Sequence, residues 1–250
     1  YQIWMLTDEA IDPDTNKPNI ARYYPQKLNI ERQLPIWVTE GGFDKGDTAL
    51  FSFRGHGVRT ADGNDYLVPL GFQKIEPSDL VGLSRVYEIL RKSGAENIVV
   101  ITDACRNIPG KAIAGMEGSK GFGEKSLAKS KAITSGEQKY AFLRSCAEDQ
   151  KSYERVDGSG GNYAYYLVKG LDGAADGTGS KGKKDGKITI GELYAYAKDK
   201  VMTEAQKKNQ IQVPQYERKG DDPDSITVGN SENASTIAEE PQGLVIATPI

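Results

Sequence analysis

The sequence contains one histidine, His56, and two cysteines, Cys105 and Cys146, and these few residues limit the chemistry that the chain can perform. One histidine and two scattered cysteines make a poor zinc set, and two cysteines do not make a disulfide framework. A thiol nucleophile needs only one cysteine, a neighbouring base such as histidine, and donors for the oxyanion. The sequence therefore leaves a Cys–His nucleophilic site open and nearly excludes zinc catalysis.

His56 and Cys105 each have neighbours that suit this chemistry. His56 lies between Gly55 and Gly57, and because neither glycine has a Cβ, the backbone can approach a substrate closely and the Gly57 N–H can face a cleft. Cys105 precedes Arg106, whose positive charge favours the thiolate. Taken singly, His56 also fits a loop histidine and Cys105 a buried structural thiol.

Both residues follow segments with strand character. Residues 48–53 form a short apolar run that leads into residues 54–57, which we predict to be a flexible tip. Residues 97–102 are β-branched and apolar on both faces, which is typical of a central parallel strand. Functional groups gather at the carboxyl ends of such strands, so the order of these segments predicts a site there.

The remaining segments alternate between strand and helix patterns. We predict strands at residues 3–6 and 140–144, and helices at residues 25–38 (interrupted by Pro35), 78–90 (capped by Ser78), 163–171 and 190–202. This alternation predicts an α/β fold with a mainly parallel central sheet flanked by helices. The acidic stretch from about residue 217 to 240 is predicted to be a solvated linker, and residues 243–248 a further strand.

Composition excludes several other classes of protein. The 250 residues are 38 % hydrophobic and 27 % charged with a net charge of −3, which excludes a collagen, a wholly disordered chain and a membrane bundle. No run approaches the roughly 18 apolar residues of a spanning helix, and no signal-peptide pattern is present. We therefore expect neither a nucleic-acid nor a membrane partner, and we favour a cytoplasmic location.

Three motifs contain or flank the two reactive residues: Phe51-Ser-Phe-Arg-Gly-His-Gly57, Asp65-Tyr-Leu-Val-Pro69 and Val99-Val-Ile-Thr-Asp-Ala-Cys-Arg-Asn107. Together they resemble the caspase-like cysteine peptidases, in the form of prokaryotic caspase homologues and metacaspases. The spacing of 49 residues between histidine and cysteine is similar to the spacing of about 50 in caspases. Weaker similarity continues at residues 145–146, 149–154, 185–193 and 212–214.

The resemblance implies a caspase-like three-layer sandwich over residues 1–228. It divides this domain into a large-subunit-like part (about 1–110), a linker (about 111–139) and a small-subunit-like part (about 140–228), with residues 229–250 as an acidic linker and the start of a further segment. Residues 1–9 resemble the second strand of the family. The first strand, normally central, is therefore expected to be missing from this chain, unless a separate partner segment or residues 243–248 supply it.

The resemblance also implies the catalytic roles. Cys105 is the nucleophile, His56 is the general base and acid, and the backbone N–H groups of Gly57 and Cys105 form the oxyanion hole. These roles agree with the interpretation from the residues alone.

The resemblance further implies a pocket for the P1 residue of a substrate. Asp103 stands where caspases have glutamine and metacaspases have an acidic residue, so a basic P1 residue is the better electrostatic match. Ser152 and Glu154 fall where metacaspases have further pocket residues. Two alternatives stay open: Asp103 also fits a residue that orients its loop by accepting backbone N–H bonds, and Glu154 also fits a surface charge.

Three other features receive structural interpretations. Cys146 matches a strand position that often carries a non-catalytic cysteine in metacaspases, and we expect it to be buried. Residues 185–192 are similar to the second half of an EF-hand loop, but Lys181 and Lys183 would stand at its first and third positions, where carboxylates are needed. We predict no metal site and no required cofactor, and activation by calcium through another acidic cluster stays open.

The linker is rich in lysine. In the family, the matching region is often cleaved during activation, so the resemblance implies self-cleavage after a basic residue, although such a run also fits a solvated face. The lysines concerned are Lys111, Lys120, Lys125, Lys129, Lys131 and Lys139.

The leading hypothesis is a cysteine endopeptidase that cleaves protein or peptide substrates after Arg or Lys, in a signalling or defence pathway, with a regulatory or N-terminal segment as a further partner. Two alternatives stay open: a catalytically silent scaffold with the same fold, and a different acyl-transfer enzyme that uses the same dyad. The presence of both His56 and Cys105 argues against the scaffold, since a scaffold needs neither. Asp103 weakly favours a peptidase over another acyl transferase.

Overall fold

The structure, a computed structural model, describes residues 3–59, 65–74, 76–105, 138–147, 150–155, 158, 160–220 and 222–231. The strands in this part are β1 (Ile11–Asp12), β2 (Lys17–Pro18), β3 (Thr48–Arg59), β4 (Asp65–Val68), β5 (Val81–Gly82), β6 (Asn97–Cys105), β7 (Lys139–Arg144), β8 (Lys187–Thr189), β9 (Gln215–Lys219) and β10 (Thr227–Asn230). The α-helices are α1 (Ile20–Tyr23), α2 (Lys27–Glu40), α3 (Leu83–Arg91), α4 (Asn162–Lys169) and α5 (Ile190–Lys207). Most of the predicted linker 111–139, and all of residues 243–248, lie outside the described residues.

Among the described residues, six strands form the central sheet in the order β5-β4-β3-β6-β7-β9. β3, β6 and β7 run parallel to one another. β4 and β5 add antiparallel strands beyond β3, and β9 adds an antiparallel strand beyond β7. The predicted α/β class is confirmed, but the sheet is mixed rather than mainly parallel, because β4 returns beside β3 and β9 returns beside β7.

Alternate side chains of the central strands build two separate hydrophobic layers. Ile98 and Val100 of β6 belong to the cluster that includes α2 and α3, whereas Val99 and Ile101 belong to the cluster that includes α4 and α5. A strand covered on both faces has to be apolar on both, which explains the continuous apolar run in β6. Helices on both sides of one sheet give the three layers of the predicted sandwich.

β3 and β6 are both longer than the sequence predicted. Residues 54–57 were expected to form a flexible tip, but β3 continues to Arg59, because β6 pairs with it as far as His56 and β4 pairs with it from His56 onward. β6 likewise continues to Cys105. The two reactive residues therefore belong to strands rather than to loops.

Residues 3–6, predicted to form a strand, do not form one. Trp4 stacks on Trp37 of α2 with their ring centroids 6.2 Å apart, and Leu6 packs against the hydrophobic cluster on that side of the sheet. Trp4 and Leu6 thus pack against a helix and the core, while Ile3 and Met5 are exposed, and the segment does not extend the sheet.

Other helix and strand predictions have mixed outcomes. The strand β7 and the helices α2, α4 and α5 are confirmed, with Pro35 inside α2. α3 begins at Leu83 rather than after Ser78, because the preceding residues Val81 and Gly82 pair with β4. The linker predicted from residue 217 is wrong as far as residue 230: β9 and β10 lie in it, and Ile226 between them is 2 % exposed.

The first part of β3 has a strand neighbour on one side only within the described residues. β6 pairs with all of residues 48–55, whereas β4 begins to pair only at His56. Leu50 on this stretch is 42 % exposed.

None of the helices in the described part of the chain combines the length and the apolar character needed to cross a membrane.

Candidate active site

Four residues share one face of the sheet at the carboxyl ends of β3 and β6. His56 pairs in register with Cys105, and Arg54 pairs in register with Asp103. Residues two apart on a strand share a face, and neighbouring strands lie about 4.8 Å apart, so the four Cα positions form a small rectangle. This face is the one that α4 covers, since a backbone N–H of α4 binds Asp103. The structure thus brings the predicted nucleophile and the predicted base together at the level of the backbone.

His56 is partly buried, and its environment favours the neutral imidazole. Its Nδ1 is buried and has no hydrogen-bond partner among the described residues. Burial lowers the pKa of His56 below its ordinary value, while the negative charge of Glu154 acts in the opposite direction. The neutral form is the one that a general base needs at pH 7. Gly55, with a φ of +153°, supplies a backbone conformation that few other residues adopt directly before His56.

Asp103 is 7 % exposed, and both oxygens of its carboxylate accept hydrogen bonds. The Ser152 hydroxyl donates to Oδ1 at 2.8 Å, and the backbone N–H of Ala164, in the first turn of α4, donates to Oδ2 at 3.1 Å. Burial raises the pKa of Asp103, and these hydrogen bonds together with the charge of Arg54 partly oppose that rise. Asp103 thus accepts a backbone N–H, but the donor lies in α4 and not in the loop that the sequence analysis expected Asp103 to orient.

Gln212 connects Ser152 to the end of β7. Its Nε2 donates to the Ser145 carbonyl at 3.0 Å and to the Ser152 hydroxyl at 3.1 Å, and its Oε1 accepts the backbone N–H of Tyr153 at 3.1 Å. The side chain is buried, with 1 % of the residue exposed. Gln212 therefore fixes Ser152, and through Ser152 it orients Asp103.

Glu154 is exposed and lies on a short extended segment that faces the start of α4. An antiparallel backbone bridge joins Glu154 to Gly161, and backbone hydrogen bonds continue on both sides of the bridge. The segment brings the charge of Glu154 close enough to His56 to affect the pKa of the imidazole. The structure thus gathers Asp103, Ser152 and Glu154 around the strand ends that carry His56 and Cys105.

Gly57 and Cys146 are the remaining two residues that the sequence analysis singled out. Gly57 continues β3 directly after His56, and its Cα partner on β4 is Leu67. Cys146 is 2 % exposed, and its thiol contacts the carbonyl of Gln150 at 3.4 Å, in agreement with the predicted buried cysteine.

The segment similar to half of an EF-hand is organised by contacts to its own backbone. The Glu192 carboxylate accepts the backbone N–H groups of Gly177 at 3.0 Å, Lys183 at 2.9 Å and Thr189 at 2.9 Å, and it forms a capping box with Thr189 at the start of α5. The Asp176 carboxylate accepts the backbone N–H groups of Asp185 at 3.1 Å and Gly186 at 3.2 Å. Within the described residues, no group of three or more His, Cys, Asp or Glu side chains is arranged to hold a metal ion.

Two residues of this site have no role in the sequence analysis. The sequence analysis named Gln212 only as part of the weak similarity at residues 212–214, and Arg54 only as part of the motif around His56. Their contacts join positions 49 to 67 residues apart along the chain. Such contacts leave no periodic pattern in a sequence.

Comparison with known proteins identifies one family. A family model described as the caspase domain of the C14 peptidases matches residues 19–222, which include every predicted site residue. Among solved structures, the crystal structure of protein GSU0716 from Geobacter sulfurreducens is similar, with 12 % identity and a TM-score of 0.49 over 91 % of this chain and 89 % of that chain. No curated protein matches the sequence significantly.

Proposed function

The chain belongs to the caspase domain family of peptidases, and from this premise we propose that it is a cysteine endopeptidase with Cys105 and His56 as its catalytic dyad. Family membership supports a peptidase-type function in general. The observation that carries the finer proposal is the register pairing of His56 with Cys105 on one face of the sheet, at the carboxyl ends of two parallel strands.

The proposed reaction begins when the Cys105 thiol gives its proton to the neutral imidazole of His56. The sulfur attacks the carbonyl carbon of the scissile peptide bond, and the resulting oxyanion accepts hydrogen bonds from the N–H groups of Gly57 and Cys105. The C–N bond then breaks, and His56 gives its proton to the leaving amine. Water attacks the remaining thioester while His56 accepts a proton, which releases the new carboxylic acid and restores the thiol.

For the P1 residue of the substrate we propose Arg or Lys. Asp103 and Glu154 supply two carboxylates and Ser152 a hydroxyl beside the dyad, and carboxylates bind guanidinium and ammonium groups with charge-assisted hydrogen bonds. The buried Asp103 would form the floor of the pocket and the exposed Glu154 its rim.

Hydrolysis of matched fluorogenic peptides tests this proposal. The peptides differ only in carrying Arg, Lys or Asp at P1, and each is measured with and without calcium against the wild type, Cys105→Ala and Cys146→Ala. We expect cleavage after Arg and Lys in the wild type and in Cys146→Ala, and none in Cys105→Ala.

The other outcomes separate the alternatives. Cleavage after Asp would keep the peptidase and overturn the basic P1 pocket. No turnover with any peptide would favour the silent scaffold.

We extend the proposal to self-cleavage in the lysine-rich linker, residues 111–139, most of which lies outside the described residues. Intact-mass spectrometry of wild type and Cys105→Ala tests it. We expect fragments that end at a linker lysine in the wild type only, and an active but intact wild type would overturn self-cleavage.

A further inference from the structure

Arg54 is a cation inside the proposed P1 pocket. It precedes His56 by two residues and pairs in register with Asp103. Because residues two apart on a strand share a face, Arg54 lies on the same face as Asp103 and the dyad. The pocket that is proposed to bind a basic side chain therefore already contains one from its own chain.

Two consecutive glycines place the charged groups of Arg54 and Asp103 in the same region of the proposed pocket. A Cβ added to Gly160 would overlap the guanidinium of Arg54, and a Cβ added to Gly161 would overlap Oδ2 of Asp103. The Cα atoms of consecutive residues are only about 3.8 Å apart, so the guanidinium and the carboxylate lie against the same dipeptide. Glycine therefore stands at both positions where a Cβ would overlap one of these two charged groups.

Burial explains why Asp103 gains from a counter-cation. A buried carboxylate keeps its charge only where hydrogen bonds or an opposite charge replace water. Ser152 and the Ala164 N–H supply two hydrogen bonds, and the charge of Arg54 also favours the ionised form of Asp103. In the free protein, Arg54 thus acts as a counter-ion of Asp103.

We propose that Arg54 is a specificity-determining residue that occupies the cation position of the pocket in the free protein and must turn away from Asp103 before a P1 Arg or Lys binds there. The inference rests on the proposed function and deepens it. A second cation beside Asp103 would meet the like charge of Arg54, so the two compete for one carboxylate. Basic P1 residues therefore bind weakly by themselves, and contacts on either side of P1 decide which peptides are cleaved.

Binding of agmatine, a small guanidinium compound, tests this competition without catalysis. Isothermal titration is carried out at pH 8 on proteins that all carry Cys105→Ala, since loss of Arg54 would raise the pKa of Asp103 and the carboxylate has to stay ionised. We expect Arg54→Gln to bind agmatine about tenfold more tightly than its parent, as removal of one like charge from a partly desolvated site implies. Arg85→Gln, which removes an exposed arginine of α3, is the matched control and should leave the affinity unchanged.

A second variant covers the case in which Arg54→Gln does not fold, as judged by its thermal midpoint. Arg54→Lys keeps the charge but replaces the planar guanidinium by a single ammonium group. The lysine pairs less specifically with a carboxylate, so it should be displaced more easily. We expect its affinity for agmatine to lie between those of the parent and Arg54→Gln. Unchanged or weaker binding in the folded Arg54 variants would overturn the inference.

Kinetics on the protein with an intact Cys105 provide an independent readout. With the P1 Arg peptide, we expect Arg54→Gln to lower KM about tenfold with kcat changed by less than about twofold, because the affected interaction is made equally in the ground state and the transition state. A fall in kcat with KM unchanged would overturn the inference. Tighter agmatine binding without any turnover that depends on Cys105 would support the inference about the pocket and overturn the proposed peptidase.

Discussion

The proposed dyad, His56 and Cys105, and the wall of the proposed pocket, which Asp103, Ser152 and Gln212 form, are neighbours in the structure, but the chain positions them by different means. His56 and Cys105 are register partners on two parallel strands, so the ladder of the sheet sets their separation. The wall depends on side chains: Gln212 holds Ser152, and Ser152 and a backbone N–H hold Asp103. The comparison teaches that the backbone of the pair and of Asp103 rests on the same two strands, whereas the pocket depends in addition on side-chain contacts, so loss of those contacts can damage the pocket while sparing the pair.

The largest expected effect comes from removing the dyad. Cys105→Ser and His56→Ala should each lower kcat/KM for the P1 Arg peptide by at least about 10³-fold, because the two groups act as a unit in bond making and proton transfer. Steady-state kinetics measures the loss, and a thermal midpoint within a few degrees of the wild type shows that the sheet is intact. Activity that survives Cys105→Ser would contradict the assignment of the nucleophile.

A steric change tests the pocket wall without replacing a charged residue. Gly161→Ala places a methyl group against Oδ2 of Asp103, although Gly161 has ordinary backbone angles of φ −70° and ψ 141°. We expect KM for the P1 Arg peptide to rise about tenfold or more with a small change in kcat, and the free energy of unfolding to fall by about 1–3 kcal/mol from overpacking.

Gly82→Ala is the matched control for this variant. Gly82 also precedes the first residue of a helix, with φ −67° and ψ 125°, but its added Cβ would meet its nearest atom at 3.7 Å, an ordinary contact. Kinetics and stability should both stay close to the wild type. An equal effect of the two substitutions would remove the evidence for a steric role of Gly161.

The hydrogen-bonded support of the wall is tested by Gln212→Ala. The change leaves the Ser145 carbonyl and the Tyr153 N–H without this partner, so the free energy of unfolding should fall by about 1–3 kcal/mol. KM for the P1 Arg peptide should rise several-fold while kcat changes little, since the register of the dyad is preserved. Urea unfolding and steady-state kinetics measure the two effects, and the exposed Gln206→Ala on α5 is the control. A proportionate loss of kcat would show that dyad and wall share one support.

The smallest expected effect is a shift in the pH profile. The negative charge of Glu154 raises the pKa of His56 against the effect of burial, so Glu154→Gln should lower that pKa further. The neutral base then persists to lower pH, and the acid limb of kcat/KM moves to lower pH, whereas the exposed Glu88→Gln on α3 leaves it in place. A shift to higher pH would contradict the placement of Glu154 beside His56.

The sequence was sufficient to predict the parts of the fold that depend on local patterns. The apolar, β-branched run of β6, the strand β7 and the helices α4 and α5 have clear patterns, and the motifs around His56 and Cys105 identified the family. The extension of β3 through Gly55 and Gly57 could not be predicted, because two glycines disfavour a strand and only pairing with β4 and β6 overrides that preference. The mixed sheet could not be predicted either, because no local pattern shows that β9 pairs antiparallel with β7.

The residues around the proposed dyad also divide into those that a local motif could predict and those that depend on contacts between distant parts of the chain. The proposed role of Asp103 in the P1 pocket was predicted from its place in the motif, but its hydrogen bonds with Ser152 and Ala164 could not be predicted. Arg54 and Gln212 act through side chains that reach across the fold, and a single sequence gives no signal for such contacts. The charge balance of the pocket therefore required the three-dimensional structure.

The register pairing of His56 with Cys105 has a consequence for thermal inactivation. Proteins open locally at different free energies, and central strands separate only in the global unfolding event, whereas short hairpin-like segments open earlier. Turnover of a substrate that does not depend on the P1 pocket should therefore persist on heating until the sheet itself unfolds cooperatively. The segment that carries Ser152 and Glu154 contributes to the proposed P1 pocket, so the proposed discrimination between substrates should fade at lower temperatures than turnover does.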